Sequence, residues 1–162
     1  MLGLTAPTRF SFCARCSDQR RQHCGSNLLR LYDYWDGKRG TRAFPARRDI
    51  DPIELGGLLP HVFLIDVLLS APYFRYRLAG TGVDKIHGQS LTGKTPSDIR
   101  TPEIAAGVEA QYSQVVADRR PRCDHVMLLA ADQSFWHYER LILPLSDDGA
   151  TINMLFCGIY ET

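Results

Sequence analysis

Apolar residues recur every three or four positions in two stretches of the chain and every second position in several others, and these changes of period predict the order of elements. Leu28, Leu31, Tyr32 and Trp35 share one side of a short helix that begins at Ser26 or Asn27, either of which caps it, and that Gly37 and Gly40 stop. Residues 41–60 carry Pro45, Pro52, Gly56, Gly57 and Pro60 and read as a loop with one helical turn at Asp51 to Leu55. His61 to Leu69 is rich in Val, Leu, Ile and Phe. After Ser70-Ala71-Pro72, the residues Phe74, Tyr76 and Leu78 alternate with Arg75 and Arg77. Two antiparallel strands follow from that pattern, the second with one wet face.

Between Gly80 and Arg100 the anchors are sparse, Val83, Ile86 and Leu91, which predicts short turns and a place for a pocket wall. Thr101 then caps a longer helix with Pro102 at its first position, Glu103 near its positive end, and Arg119 and Arg120 before Pro121. Its apolar stripe is Ile104, Val108, Tyr112, Val115 and Val116. The last third alternates over Cys123 to Ala131, Phe135 to Leu145 and Thr151 to Tyr160. Asp132-Gln133-Ser134 and Ser146-Asp147-Asp148-Gly149 suit hairpin turns. This order predicts an α+β domain with helices on one side of an antiparallel sheet, not a parallel βαβ architecture.

A chain of 162 residues is the size of one domain, with residues 1–26 as a flexible extension and 27–162 as the folded unit. Nineteen basic residues meet 18 acidic ones, so no net field draws the chain to nucleic acid or an anionic membrane. The longest apolar stretch, Val62 to Leu69, is interrupted by Asp66 and is far too short to span a bilayer. No secretory signal is visible in Met1 to Phe12, and the expected location is cytoplasmic. Five cysteines without regular spacing do not suggest a secreted disulfide scaffold. Cys13, Cys16, His23 and Cys24 offer four zinc-type ligands, but adjacent His23 and Cys24 converge poorly on one ion and lack an apolar surround; the tail is read without a metal.

Several local sequences, in this order, resemble the PAS domain superfamily, in particular its short stand-alone bacterial members: 45-PARRDIDP-52, 59-LPHVFLIDV-67, 74-FRYRLAGT-81, 91-LTGK-94 and 138-YERLILPLSDDG-149. The resemblance spans residues 27–162. It implies a five-stranded antiparallel sheet in the order 2-1-5-4-3, covered on one face by helices that enclose a small-molecule pocket, with the amphipathic helix N-terminal to it. It also implies a sensor or docking role, frequently as a dimer through a helix beside the sheet. Flavin photosensors of the superfamily use a cysteine before the long helix, and none lies between Cys24 and Cys123. Haem-binding members take a histidine from the long helix, and residues 102–120 contain none, which leaves only His61 or His87 as haem ligands. The cofactor therefore stays open.

The segment 88-GQSLTGKT-95 satisfies the phosphate-loop pattern, in which backbone N–H groups and a lysine cradle phosphates. Its context does not fit a nucleotide binder, because Val83-Asp84-Lys85-Ile86-His87 is no buried strand and Pro96 and Pro102 interrupt the helix that should follow.

Period-two alternation along Phe135 to Leu145 puts Trp136, Tyr138, Arg140 and Ile142 on one face, which the resemblance assigns to the interior. A buried guanidinium requires an anionic partner, so Arg140 is the candidate anchor for a ligand carboxylate or phosphate, or else pairs with an internal acid. Tyr76, His87, Met127 and Tyr138 complete the candidate ligand site. Leu28, Leu31, Tyr32 and Trp35 form the candidate partner or dimer face. No triad order or metalloprotease pair stands out, and Asp66, His87 and Tyr138 are the only trio suited to a small cavity enzyme. The chain is read as a sensory or regulatory domain that binds a small ligand, a protein partner or both, not as an enzyme. The competing reading is a ligand-free docking module whose pocket is filled by its own side chains.

Overall fold

Alternation becomes pairing in the computed structural model of the protein, which describes residues 24–129 and 135–162. Strands β1 (Val62–Val67), β2 (Phe74–Ala79), β3 (Arg122–Leu129), β4 (Phe135–Leu145) and β5 (Met154–Glu161) form one antiparallel sheet ordered β2-β1-β5-β4-β3. The β3–β4 ladder runs in register from Leu129 opposite Phe135 to Arg122 opposite Ile142. The β4–β5 ladder follows from Leu145 opposite Met154 to Tyr138 opposite Glu161. β5 also pairs with β1, so the last strand enters the middle of the sheet and is buried along almost its whole length.

Both faces of the sheet are covered. On one side lies α1 (Ser26–Arg39), whose Leu28 and Leu31 press against Gly158 of β5: a methyl group there would sit 2.5 Å from Leu31 Cδ2 and 3.1 Å from Leu28 Cδ2. Glycine at 158 lets the helix approach the strand closely, and burial of each leucine contributes roughly 1.5–3 kcal/mol. Trp35 adds a directed contact, its indole N–H donating to the Pro144 carbonyl at 2.9 Å. Pro144 lies beyond the start of β3, on a stretch of β4 with one open edge, where a missing N–H breaks no ladder. The helix is capped by Gly25, not by Ser26 or Asn27, and Gly37 lies inside it; Gly40, at φ 58°, is the stop.

On the other side are α3 (Thr81–His87), α4 (Pro96–Ile99) and α5 (Pro102–Asp118), all within or after the stretch expected to be irregular. The single turn α2 (Pro52–Leu55) is capped by the Asp51 carboxylate, which accepts from the Ile53 amide at 2.9 Å. α5 buries Ala105, Tyr112 and Val115 against the sheet, a narrower stripe than its five periodic apolar positions suggested. It ends at Arg119 in the left-handed region, φ 55°, with the amide of that residue bonded to the Val115 carbonyl.

Two residues ahead of α1 contact the sheet. The Gly25 amide donates to Glu139 Oε2 at 2.7 Å, and Cys24 is disulfide-bonded to Cys123 of β3. Cys13, Cys16 and His23, the remaining residues of the zinc-like constellation, lie outside the described residues, as does most of the proposed extension. Among the described residues no group of three metal-ligating side chains converges, and no helix is long and apolar enough to cross a membrane.

Candidate functional site

Strand register decides which side chains meet beneath α5. Arg140 stands opposite Asp124 in the β3–β4 ladder and opposite Ile159 in the β4–β5 ladder, with its side chain on the α5 face. It is only 4% exposed. Its Nη2 donates to Gln111 Oε1 of α5 and lies 3.5 Å from Asp124 Oδ2, and its guanidinium carbon sits 5.4 Å from the Tyr112 ring centre. Nε of Arg140 has no hydrogen-bond partner among the described residues. Asp124, equally buried, is held more closely by Arg122, whose Nε donates to both its carboxylate oxygens at 2.7 and 2.9 Å. The site thus holds two guanidinium groups around one carboxylate.

Three tyrosines complete the interior. The Tyr76 and Tyr112 hydroxyls are 3.1 Å apart, and Phe74 packs edge-on against Tyr112 with ring centres 5.4 Å apart. Tyr138 is buried on the same face as Arg140. Burial raises the pKa of both Tyr76 and Tyr112, so each stays a neutral phenol able to donate one hydrogen bond. Burial works against the Arg140 charge, but Tyr112, Tyr138 and Asp124 outweigh it and hold that pKa above its ordinary value. The arrangement is a permanent buried cation with a spare donor, flanked by phenol groups. It is suited to receiving an anionic oxygen and carries no evident nucleophile, since the one free described cysteine, Cys157, is fully buried and its pKa is pushed up by that burial.

Of the five expected ligand residues, Tyr76, Tyr138 and Arg140 share this interior. His87 closes α3, with Nδ1 2.8 Å from the Val83 carbonyl. Burial lowers its pKa to about 4, with Arg100 and Arg140 adding to the shift. Met127 is placed elsewhere: it is 53% exposed and pairs with His137 near the far end of the β3–β4 ladder, in the opposite alternation to Asp124. It is not a wall of the interior. Leu28, Leu31 and Trp35 are buried against their own sheet, so the apolar side of α1 is spent within the domain; Tyr32 is half-buried, its ring 5.8 Å from that of Trp35. The Asp66, His87 and Tyr138 trio does not converge. Asp66 belongs to the α1 face and lies between Arg75 at 3.6 Å and Arg77 at 3.2 Å, whereas Tyr138 faces α5. His61 stacks on Tyr160, ring centres 4.3 Å apart.

Residues 88–95 do not form a phosphate cradle. The Gly93 amide donates to the Tyr76 carbonyl at 2.7 Å, and the Tyr76 amide donates to the Lys94 carbonyl at 2.8 Å. The segment therefore seals the outer edge of β2. Leu91 is buried in the core and the Lys94 ammonium is 2.9 Å from Gln89 Oε1, inside its own loop. Sequence reasoning left out Gln111, Asp124 and Arg122. The sequence carried no signal for Asp124: counted outward from the expected Asp132-Gln133-Ser134 turn, Val126 would stand opposite Arg140, and only the actual register, Leu129 opposite Phe135, sets the acid there.

A five-stranded antiparallel sheet in this order, with short helices and one long helix over a polar interior, defines a PAS-type α+β architecture. The chain belongs to the PAS domain family, whose model matches residues 24–160. A search of curated proteins finds no match. Among solved structures, the PAS domain of Bordetella pertussis BvgS is similar at a TM-score of 0.54 and 18% identity, covering 68% of this chain and 82% of that one. VqmA bound to DPO is similar at a TM-score of 0.51 and 16% identity, covering 68% of this chain and 56% of that one. The Vibrio cholerae VqmA dimer is similar at 0.50 and 16%, covering 68% and 49%. The chain thus spans about half the length of the VqmA chains it matches. At these identities the likeness is one of fold, and the family match identifies a sensory signalling domain.

Proposed function

We propose that the chain is a non-catalytic PAS sensory domain whose interior receives a small anionic ligand at Arg140 and whose output is a contact with another protein or a second copy of itself, in the cytoplasm. The observation that carries the ligand reading is the orphaned Nε of a guanidinium that is 4% exposed, beside an acid already committed to Arg122. A buried donor without a partner costs about 1–3 kcal/mol, more when charged, and a carboxylate or phosphate oxygen would recover that cost. Tyr76 and Tyr112 supply neutral hydroxyls on the same face, and Tyr138 is buried there with them. The fold likeness to VqmA bound to DPO and to the VqmA dimer supports reading this chain as one that binds a ligand and self-associates.

The second reading is a ligand-free docking module. It is favoured by the Tyr76–Tyr112 hydroxyl pair and the Arg140–Gln111 bond, through which the interior fills itself. Calorimetry with acetate, citrate and inorganic phosphate, preceded by native mass spectrometry of the purified protein, separates the two. The ligand reading expects a bound anion whose affinity falls at least tenfold in Arg140→Leu, the loss of one charge-assisted hydrogen bond. Equal affinity in that variant, or a bare mass with no anion bound at millimolar concentration, favours the docking module.

A further inference from the structure

The chain entering α1 is tied to the sheet at two adjoining points besides its apolar packing. Cys24, half-buried, stands one residue ahead of the Gly25 cap and is bonded to Cys123 of β3, 99 residues away, with Cα atoms 6.9 Å apart. Cys123 is 4% exposed and pairs with Leu141, on the α1 face. The adjoining tie, the Gly25 amide to Glu139, is a single hydrogen bond at 2.7 Å. Farther along, Leu28, Leu31 and Trp35 hold the helix without help from the sulfurs. Breaking the disulfide therefore loosens the start of α1 and leaves its packed centre in place.

We propose that Cys24 and Cys123 form a reversible thiol–disulfide pair that fastens the start of α1 to β3 when oxidised and releases it when reduced by a dithiol. The less buried partner, Cys24, sets the direction of attack. A reductant thiolate attacks Cys24 Sγ, the Cys24–Cys123 bond breaks, and its electron pair leaves on Cys123 Sγ. The second thiolate of the reductant then displaces Cys24 Sγ. The reductant ends as a disulfide, and the two cysteines end as thiols carrying the two protons the reductant released. Cys157 cannot compete for either sulfur, because it is fully buried. The pair also explains how a disulfide fits a chain otherwise read as cytoplasmic, where such bonds are transient and regulatory. This inference stands apart from the Arg140 reading, since no anion enters it.

The test uses the full chain equilibrated in oxidised glutathione or in dithiothreitol, alkylated with N-ethylmaleimide, digested without reduction and mapped by mass spectrometry, with hydrogen exchange followed in parallel. In oxidised glutathione the peptides holding Cys24 and Cys123 should be linked, and dithiothreitol should separate them in the folded protein. On reduction the amides of residues 25–30 should exchange roughly tenfold faster while those of β4 and β5 stay unchanged. Cys24→Ser should show the fast exchange in both buffers. Linkage of Cys24 to Cys13 or Cys16, no link at all, a link that dithiothreitol removes only after unfolding, or exchange that ignores the redox state would each overturn the proposal.

Discussion

Arg140 and Asp124 face each other across the β3–β4 ladder, yet their charged groups approach only to 3.5 Å, while Arg122 holds the same carboxylate at 2.7 Å. The acid therefore answers to two cations of unequal claim. Removing it strands both; removing Arg140 leaves the acid with Arg122 and takes from Gln111, a neutral acceptor, only its donor.

That asymmetry sets the first prediction. Asp124→Asn should lower stability by about 3–5 kcal/mol in urea denaturation, because a buried guanidinium is left without its acid. Arg140→Met, which keeps an aliphatic stem and leaves Asp124 to Arg122, should cost less than about 2 kcal/mol. Equal losses in the two variants would show that Asp124 serves Arg140 and Arg122 alike.

Packing of α1 on β5 sets the second. Leu31 is 1% exposed, so Leu31→Ala should cost about 2–5 kcal/mol. Gly158→Val should be at least as harmful, since even a methyl group there meets Leu31 Cδ2 at 2.5 Å. Denaturant midpoints measure both. A Leu31→Ala protein of unchanged stability that merely fails to self-associate in light scattering would return this helix face to the role of a partner surface.

The pH dependence of stability should carry a signature of His87. Burial lowers its pKa from 6.5 to about 4, so the folded state keeps the ring neutral while the unfolded chain takes up a proton below 6.5. Its contribution is complete above that value, shrinks as the pH falls, and is gone near pH 4. The loss amounts to roughly 3 kcal/mol at most. His87→Gln, whose amide can still donate to the Val83 carbonyl, should flatten the difference in urea midpoint between pH 7 and pH 4.5 relative to the parent chain. A parallel pair of pH profiles would place the acid sensitivity on other groups.

Lys94→Ala should leave ligand binding and stability within about 0.5 kcal/mol of the parent, since among the described residues the ammonium's hydrogen bond is to Gln89 of its own loop. Neither protein should bind Mg-ATP in calorimetry. Gly93→Val, by contrast, should be destabilising by more than about 1 kcal/mol, because φ there is 83° and the residue's amide seals β2. Heat of Mg-ATP binding that disappears in Lys94→Ala would restore the phosphate-loop reading.

Element types were legible from residue order because they depend on local periodicity. The alternation of Phe74, Tyr76 and Leu78 is a property of neighbours, as is the apolar spacing of Leu28, Leu31 and Trp35. The same local reading put Arg140 and Tyr138 on one face of β4, because two residues per repeat is fixed by the strand itself, while the family resemblance assigned that face to the interior. It went astray at Met127, whose side follows from its register and not from its hydrophobicity.

By itself the sequence determined an antiparallel sheet with one long helix and the local sequences that carry the family resemblance, since each follows from short-range pattern; the resemblance then put Arg140 inside, where the cost of desolvating a charge demands an anionic partner. Only the tertiary structure decided that α1 covers the opposite face from α5, that Asp124 prefers Arg122, that the phosphate-loop pattern seals an edge strand, and that Cys24 meets Cys123. Those outcomes depend on ladder register and on contacts across as many as 114 residues, and no local spacing encodes which distant partner a side chain will meet.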